Sequence, residues 1–424
     1  MPRLRQIAVN TEPLRNPDFR RLFFGQGIAF IGFQVTAVAV PVQMYAITHS
    51  SLWVGLLGVA ALVPLVAFGL YGGAIADVVD RRRLYVSASC VLWAVTGAFL
   101  LQAILHARSA WILLALMAAQ STGFAVSSPV RGAIVPRLLD ASLVPAGNTL
   151  NFTLSNVGTV AGPLVAGVVL ARFGYAAAYA VDACLFTFGL YAALRLPALP
   201  PLAGGGRAGL RSVIDGLRFI AGRPVLALSF AFDIIANAFA MPRALFPQVA
   251  AERFGGPSAA GWLYASIAIG AVAGGLASGW ISRVRRQGVA LVSAVVAWGL
   301  LVAAAGLAHT LWLAVLLLAG AGAADLVSAV YRQTILQVTA PDQMRGRMQG
   351  VFIVVVAGGP RLGDLRAGVS AAAVGVTASW VGGGIACVAL VLLLAIAAPA
   401  LVRYQPAAQG QPDRRGRDRT TLQR

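Results

Sequence analysis

The sequence predicts an all-α membrane protein with twelve transmembrane helices, arranged as two related halves of six. The first reason is composition, because 59% of the 424 residues are hydrophobic and only 11% are charged. A soluble interior cannot hide so much apolar surface, so lipid must be the solvent for most of the chain. The second reason is length, because the apolar runs are about 20 residues long and a helix of that length crosses the hydrocarbon core. The third is a repeat with an offset of about 200 residues.

The apolar runs lack the two-residue alternation of barrel strands, which favours a helical bundle. We place the spans near residues 20–48, 52–77, 84–106, 110–132, 145–171, 174–195, 225–250, 258–282, 287–308, 311–334, 348–371 and 375–402. The first six spans form an N-terminal bundle at residues 20–195, and the last six form a C-terminal bundle at residues 225–403.

The segments outside the two bundles are more polar. Residues 1–19 form a cytoplasmic N-terminal segment without a small-residue cleavage site, so we expect the first span to be retained. Residues 196–224 form a cytoplasmic linker that begins with a proline and glycine break and continues as a basic amphipathic stretch at the membrane surface. Residues 404–424 are charged and interrupted by proline, and we expect a disordered cytoplasmic tail.

The arginines predict the orientation. All 33 basic residues are arginine, and the 14 acidic residues leave a net charge of +19. Most of the loop arginines lie on one side of the predicted bundle, whereas the opposite loops hold only Arg108, Arg172 and Arg253. By the positive-inside rule, both termini are cytoplasmic. A nucleic-acid partner is excluded because the charge is not spread over a soluble face.

Three short landmarks recur in the two halves. Gly73 and Asp77 correspond to Gly275 and Gly279, Ser128 and Arg131 correspond to Ser328 and Arg332, and Ala161-Gly162-Pro163 corresponds to Gly358-Gly359-Pro360. This duplication is typical of transporters that bind their substrate between two halves near the middle of the membrane and expose it alternately to each side.

A charged turn, GAIADVVDRRR, joins the second and third spans. Asp77 ends a helix there and can pair with Arg81 or with Arg131 at the inner end of the fourth span. We therefore expect a cytoplasmic gate that closes in one state and opens in the other, formed by Gly73, Asp77, Arg81, Arg82, Arg83 and Arg131. The alternative is a loop that sets topology and carries a surface ion pair worth ~0–1 kcal/mol.

Two motifs resemble those of the major facilitator superfamily. The charged turn resembles the loop signature between the second and third helices of that family, with Asp80 where glycine is commonest. Residues 158–167, GTVAGPLVAG, resemble the fifth-helix signature of its drug and proton antiporters, with Ala166 in place of one glycine. Residues 38–56, 241–247 and 359–368 are similar to the branch that contains the enterobactin exporter and related efflux proteins. The resemblance implies the major facilitator fold and export of a small molecule driven by proton influx.

The fifth-span motif also has a direct physical interpretation. Gly158, Gly162 and Gly167 allow another helix to approach closely, and Pro163 removes a backbone hydrogen bond and bends the helix. We favour a gating bend, and the alternative is ordinary small-residue packing between membrane helices.

Charged residues inside spans each cost ~2.5–3.5 kcal/mol at mid-helix, so they point to function. The candidates for proton coupling are Asp233, Asp325, Asp182 and Asp364. Asp233 has no arginine three or four residues away on its own helix, and Asn237 continues its polar stripe. The alternative for the others is a structural salt bridge within one span, of Arg361 with Asp364 or of Arg332 with Asp325.

Uncharged polar side chains are candidates for a substrate cavity. They are Gln34 and Gln43 on the first span, Asn151 and Asn156 on the fifth, and Asn237 on the seventh. Hydrogen bonds between helices, worth under ~1–2 kcal/mol each, are an equal alternative.

Other classes of protein fail on specific residues. A phosphate-binding GxxxxGK[ST] loop needs a lysine, which the chain lacks, so an ATP-driven pump is excluded. The three histidines are far apart in sequence and have no metal-site spacing, and we expect no cofactor, no metal and no enzyme activity.

We therefore predict a monomeric secondary transporter in a bacterial cell membrane. It exports a small hydrophobic or amphipathic molecule (a siderophore, drug or natural product) by proton antiport, with the substrate, protons and the lipid bilayer as its partners. A proton-coupled importer or facilitator of the same fold is the first alternative, and a non-transporting membrane sensor or scaffold is the second.

Overall fold

The computed structural model describes residues 10–78, 80–199, 218–284, 286–339 and 342–401, with side chains except at residues 69–78, 133, 282, 339 and 342–354. The N-terminal segment up to residue 9, the linker from 200 to 217 and the tail beyond 401 lie outside the described residues. The predicted disorder of the tail and the surface position of the linker are therefore not addressed by the structure.

The described chain is built of long helices, and each of the twelve predicted spans lies on one of them. In chain order they are α1 (Pro17–Thr48), α2 (Ser51–Val78), α3 (Arg81–Ile104), α4 (Ala110–Leu138), α5 and α6 (together Val144–Leu194), α7 (Pro224–Arg253), α8 (Pro257–Leu276), α9 (Gln287–Gly306), α10 (Leu311–Thr339), α11 (Asp342–Val374) and α12 (Val376–Ala397).

Two of these stretches are interrupted. Gly174 has a φ of 76° and divides the 51-residue stretch Val144–Leu194 into α5 (residues 144–173) and α6 (residues 175–194). Glycine adopts this left-handed conformation without steric cost, which allows the chain to reverse at this point. Helix α7 consists of Pro224–Ala240, a 3₁₀ turn at Arg243–Leu245 and a second helix at Phe246–Arg253.

Among the described residues, ten helical stretches are long and apolar enough to cross a membrane, with α5 and α6 counted as one. This result and the absence of strands from the described residues confirm the predicted class, an all-α membrane protein.

The start of the first helix carries a recognisable sequence signal. Asn16 caps α1 by accepting from the N–H groups of Asp18 and Phe19 at 3.0 and 3.1 Å, and Pro17 occupies the first turn.

Helix packing follows the predicted division into halves. In the first half α1 packs along α5 and α6, and α2 packs along α4. In the second half α8 packs along α10, and α9 packs along α10 and α12. The halves meet mainly where α2 contacts α11 and where α5 contacts α8. We call the end of the bundle that holds residues 49–50, 105–109, 174, 254–256, 307–310 and 375 the outer end, because the arginine pattern predicts that these residues lie outside the cell.

Candidate transport site

A cavity of about 340 Å³ lies between the two halves. Residues of α1, α2, α4 and α5 line it from the first half, and residues of α7, α8 and α11 line it from the second. Small-molecule sites typically occupy about 300–1,000 Å³, so the cavity has room for a small organic ligand. Its lining is apolar except for Gln34, Arg243, Tyr264, Arg361 and Asp364.

Arg243 was not among the residues predicted for the site. It lies in the 3₁₀ turn that interrupts α7, directly after Pro242, which has no N–H with which to continue the helix. The Tyr264 hydroxyl of α8 donates to the Arg243 carbonyl oxygen at 3.0 Å and holds the turn against the cavity. An arginine inside the predicted span at 225–250, next to a proline, was the sequence signal that could have identified it.

The salt bridge between Arg361 and Asp364, which was the structural alternative, is not formed. The Arg361 guanidinium donates to the Ala357 carbonyl oxygen on its own helix. One carboxylate oxygen of Asp364, Oδ1, is buried without a hydrogen-bond partner. The two side chains are three residues apart on one helix, but both face the cavity separately. Spacing along a helix shows which residues share a face, but it does not show which groups they bind.

Asp233 and Arg332 form a buried ion pair across helices α7 and α10. Asp233 is 2% exposed, and the Asn237 amide donates to Asp233 Oδ1 at 2.8 Å. Arg332 Nη2 also lies 3.8 Å from Asp325 Oδ1, whose side chain is 45% exposed. Asp233 has no arginine three or four residues away on its own helix, but another helix supplies its partner. Arg332 pairs first with Asp233 and only loosely with Asp325.

Asp182 on α6 has different surroundings. It is 1% exposed, and the Thr36 hydroxyl of α1 donates to Asp182 Oδ2 at 2.6 Å. Its other oxygen, Oδ1, is buried without a hydrogen-bond partner, and Asp182 belongs to no ion pair of the described residues. It lines a smaller cavity of about 70 Å³ inside the first half, together with Arg131 and Gln120.

The glycines of the fifth-span motif face two different helices. A Cβ atom on Gly158 would lie 2.6 Å from the Phe30 ring on α1, and one on Gly162 would overlap Gln34 on the same helix. Gly167 instead faces Gly261 on α8, across the boundary between the halves. A Cβ atom on Gly261 would lie 2.8 Å from the Cα atom of Gly167, so the two backbones touch.

Polar contacts join the two halves at the outer end. The Tyr45 hydroxyl on α1 donates to Glu252 Oε1 on α7 at 2.6 Å, and the Gln248 amide donates to the same oxygen at 2.9 Å. The Ser51 hydroxyl at the start of α2 donates to Gln248 Oε1 at 2.5 Å. Sequence analysis missed these residues, because a contact between the ends of the first and seventh spans has no signature along the chain. Together with Gly167 and Gly261, they close the cavity toward the outer end.

The predicted cytoplasmic gate is only partly described. The surroundings of Gly73 and the side chain of Asp77 are not described, so the pairing of Asp77 with arginine stays a prediction. Arg82 Nη2 donates to the Leu194 carbonyl oxygen at 3.0 Å. Asp80 accepts from the Arg82 N–H at 2.8 Å and caps α3, which explains an aspartate where related turns have glycine. Arg81 and Arg83 begin α3 beside it, and Arg131 faces the cavities of the first half.

Of the five uncharged cavity candidates, the structure places only Gln34 in the cavity between the halves. Gln43 is buried in the first half, where it exchanges hydrogen bonds of 3.1 and 3.0 Å with Gln102, so it joins helices as in the alternative interpretation. Asn151 lines a separate cavity of about 200 Å³ beside Arg131, and Asn156 is half-buried on α5. Asn237 belongs to the Asp233 ion pair.

A cavity surrounded by helices of both halves is typical of membrane transporters, and comparison with known proteins identifies the family. The chain belongs to the transmembrane secretion effector family of major facilitator transporters, whose model matches residues 8–414. The enterobactin exporter EntS of Citrobacter koseri is 29% identical over 388 residues, which cover 89% of this chain and 92% of that protein. EntS of Shigella boydii is also 29% identical, over 390 residues covering 90% of this chain and 92% of that protein.

Solved structures show the same fold. The nucleoside transporter NupG matches with a TM-score of 0.72 and 15% identity, covering 92% of this chain and all (100%) of that chain. A bacterial homologue of the human lysosomal transporter Spinster, in an inward-facing and unoccupied conformation, matches with a TM-score of 0.70 and 17% identity, covering 94% of this chain and 100% of that chain. At these identities the likeness concerns the fold alone.

Proposed function

We propose that this protein exports a small hydrophobic or amphipathic molecule, such as a siderophore, drug or natural product, in exchange for protons. The observation that carries the proposal is the cavity between the halves, which is mostly apolar and is closed toward the outer end by contacts between both halves. A site held between two halves that move against each other can open to one side at a time. The closed outer end then belongs to the state that receives cargo from inside the cell.

The direction of transport is supported by the relatives, because the two EntS proteins are named as exporters. We place the protein as a monomer in the bacterial cytoplasmic membrane with both termini inside, as the arginine distribution predicts. Gating by the charged turn, with Asp77 and Arg131 as its latch, remains part of this proposal.

For proton coupling we rank Asp182 first among the four acidic candidates. A proton carrier must gain and lose its charge in each cycle, and Asp182 can do so without breaking an ion pair. The Asp233 carboxylate is held by Arg332, and Asp364 lies beside the cargo instead of apart from it. Asp325 is the half-exposed neighbour of the same arginine.

Transport by inside-out membrane vesicles tests the proposal. Vesicles with an acidic lumen should accumulate cargo, and a protonophore should abolish the accumulation. Enterobactin, the cargo named for the relatives, and a set of amphipathic fluorescent dyes are suitable probes. Asp18→Asn changes an exposed acidic residue at the start of α1, and vesicles that carry it serve as the matched control for replacement of Asp182.

Three outcomes are informative. Gradient-dependent accumulation in these vesicles supports export. Uptake of the same probes by intact cells, driven by the inward proton gradient, would favour the importer. Failure of both assays with protein that is folded and inserted in the membrane would overturn both and favour a sensor or scaffold.

A further inference from the structure

The cavity between the halves holds two arginines, Arg243 and Arg361, which share one neighbouring carboxylate, Asp364, and form no salt bridge with it. The ion pairs of the described residues join Arg21 with Asp18 and Arg332 with Asp233 and Asp325, so neither Arg243 nor Arg361 takes part. Arg243 Nε is buried without a hydrogen-bond partner. A buried polar atom without a partner is costly, and Asp364 supplies one negative charge for two guanidinium groups, so the cavity can accommodate an anionic ligand that pairs with them.

Two other arginines of the same half, Arg253 and Arg366, have structural roles. Arg253 donates to the carbonyl oxygen of Gly306 at 3.0 Å and to the Thr377 hydroxyl at 2.7 Å. Arg366 donates to the carbonyl oxygens of Ala238 and Ser379 at 3.2 and 3.1 Å. These side chains tie helix ends or neighbouring helices together. Arg243 and Arg361 face the cavity instead.

We infer that Arg243 and Arg361 bind an anionic oxygen group of the cargo, a carboxylate or an ionised phenol. This inference rests on the proposed function and adds the class of cargo to it. A guanidinium group matches such oxygens with two parallel hydrogen bonds, and the attraction is strong where water is excluded. The two arginines outnumber the one aspartate of the cavity, so the lining favours a negative charge.

The geometry also orients the cargo. Both arginines belong to the second half, whereas the first half contributes an apolar wall that includes Val54, Leu57 and Met117. An amphipathic acid would therefore place its charged end against α7 and α11 and its apolar body against α2 and α4. The Tyr264 hydroxyl, which holds the Arg243 backbone, acts as a positioning group and needs no contact with the cargo.

Removal of Asp364 should change anion binding in the opposite direction from removal of an arginine. Its carboxylate lines the same cavity and repels an anion, so its removal should strengthen anion binding, whereas removal of either arginine should weaken it. Damage to the fold would weaken binding in all three variants alike.

The experiment measures binding of matched probes to the purified protein in lipid nanodiscs, with empty nanodiscs as the blank. The probes are pyrenebutyric acid and its methyl ester, which share an apolar body and differ in charge. The native protein should bind the acid about tenfold or more tightly than the ester, as expected for a charge-assisted contact. Arg243→Gln and Arg361→Gln should each remove most of that preference by weakening acid binding toward the affinity of the ester, and Asp364→Asn should increase the preference.

Two controls sharpen the result. Arg172→Gln removes an exposed positive charge outside the cavity and should preserve the preference for the acid. Arg243→Lys keeps the positive charge but lacks the paired N–H donors of the guanidinium, and it should keep part of the preference for the acid. Equal affinity of the native protein for acid and ester would overturn the inference, as would weaker acid binding in Asp364→Asn. Binding needs no proton gradient, so this test can fail while the vesicle assay succeeds, and the reverse.

Discussion

Asp182 and Asp233 are both buried acidic residues inside spans, but their partners suggest different roles. Asp182 is held by one hydroxyl and has a free carboxylate oxygen beside a small cavity. Asp233 is held by a guanidinium and an amide on two sides. Sequence reasoning ranked them in the opposite order, because it judged isolation from neighbours along one helix. The partners that distinguish the two residues, Thr36 and Arg332, come from α1 and α10.

The first prediction concerns Asp182→Asn. We expect this variant to fold, to bind cargo and to exchange labelled for unlabelled cargo across a vesicle membrane, because the amide keeps the size of the side chain and the hydrogen bond with Thr36. It should lose accumulation driven by a proton gradient, since an amide cannot carry the proton. Full gradient-driven accumulation by Asp182→Asn would remove Asp182 from the coupling mechanism.

The second prediction concerns the stability contributed by the ion pair of Asp233. Asp233→Ala leaves the buried Arg332 with only its loose contact to Asp325, and we expect the free energy of unfolding to fall by about 3–5 kcal/mol. Replacing both residues by leucine should recover much of the loss, because the only charge then left without its partner is the half-exposed Asp325. Thermal unfolding of the purified protein measures both effects.

The matched control is Asp18→Ala, which removes an exposed ion pair with Arg21. Such a pair contributes about 0–1 kcal/mol, so this variant should unfold almost as the native protein does. An equally small effect of Asp233→Ala would show that Arg332 finds another partner and that the pair does not hold α7 to α10.

At the scale of the helices, the boundary between the halves depends on glycines. On one side Gly167 faces Gly261, and on the other Gly55 of α2 faces Gly368 of α11. A Cβ atom on Gly368 would lie 2.5 Å from the Ser51 carbonyl oxygen, so this contact also leaves no room for a side chain. Close approach of backbones at small residues is a common way for membrane helices to associate, since apolar burial gives them no driving force in lipid.

The third prediction uses a matched pair of glycine substitutions. In Gly261→Ala the new Cβ atom would lie 2.5 Å from the Pro163 carbonyl oxygen, so the two helices must separate. We expect weaker closure of the outer end and faster labelling, by an impermeant maleimide, of a cysteine introduced at that end. Gly97→Ala makes the same change where no atom lies within 4 Å, and labelling should stay at the native rate. Equal labelling in both variants would contradict a sealing role for α5 and α8.

Most of the architecture could be predicted from the sequence, and the site only in part. Apolar runs of membrane length show where helices lie, because lipid forces each backbone to satisfy its own hydrogen bonds. The break at Gly174 lies at the first residue of the predicted sixth span, residues 174–195. Arg243 and Glu252 were missed because their importance arises from contacts between the halves. Pairing across helices, as of Asp233 with Arg332, depends on rotation and depth, which periodicity does not reveal.

The whole molecule should expose its cavity to one side at a time, and the last prediction tests this together with the orientation. Gln34 lines the cavity beneath the closed outer end, so Gln34→Cys should react with an impermeant maleimide in inside-out vesicles and resist it in right-side-out vesicles. The parent for this variant lacks the native cysteines Cys90, Cys184 and Cys387, two of which are exposed. Adding Gly261→Ala should shift the labelling of this cysteine toward right-side-out vesicles, because it weakens closure of the outer end.

Two exposed positions calibrate the sides of the membrane. Arg172→Cys, near the outer end of α5, should react only in right-side-out vesicles, and Arg283→Cys, after α8, only in inside-out vesicles. If these two react as expected while Gln34→Cys reacts equally from both sides, the cavity is an open pore and alternating access is wrong. If the two exposed positions react in reverse, the arginine pattern has been assigned to the wrong side, and the closed outer end would face the cytoplasm. In that case this conformation would be the one that receives cargo from outside, and the importer would become the better proposal.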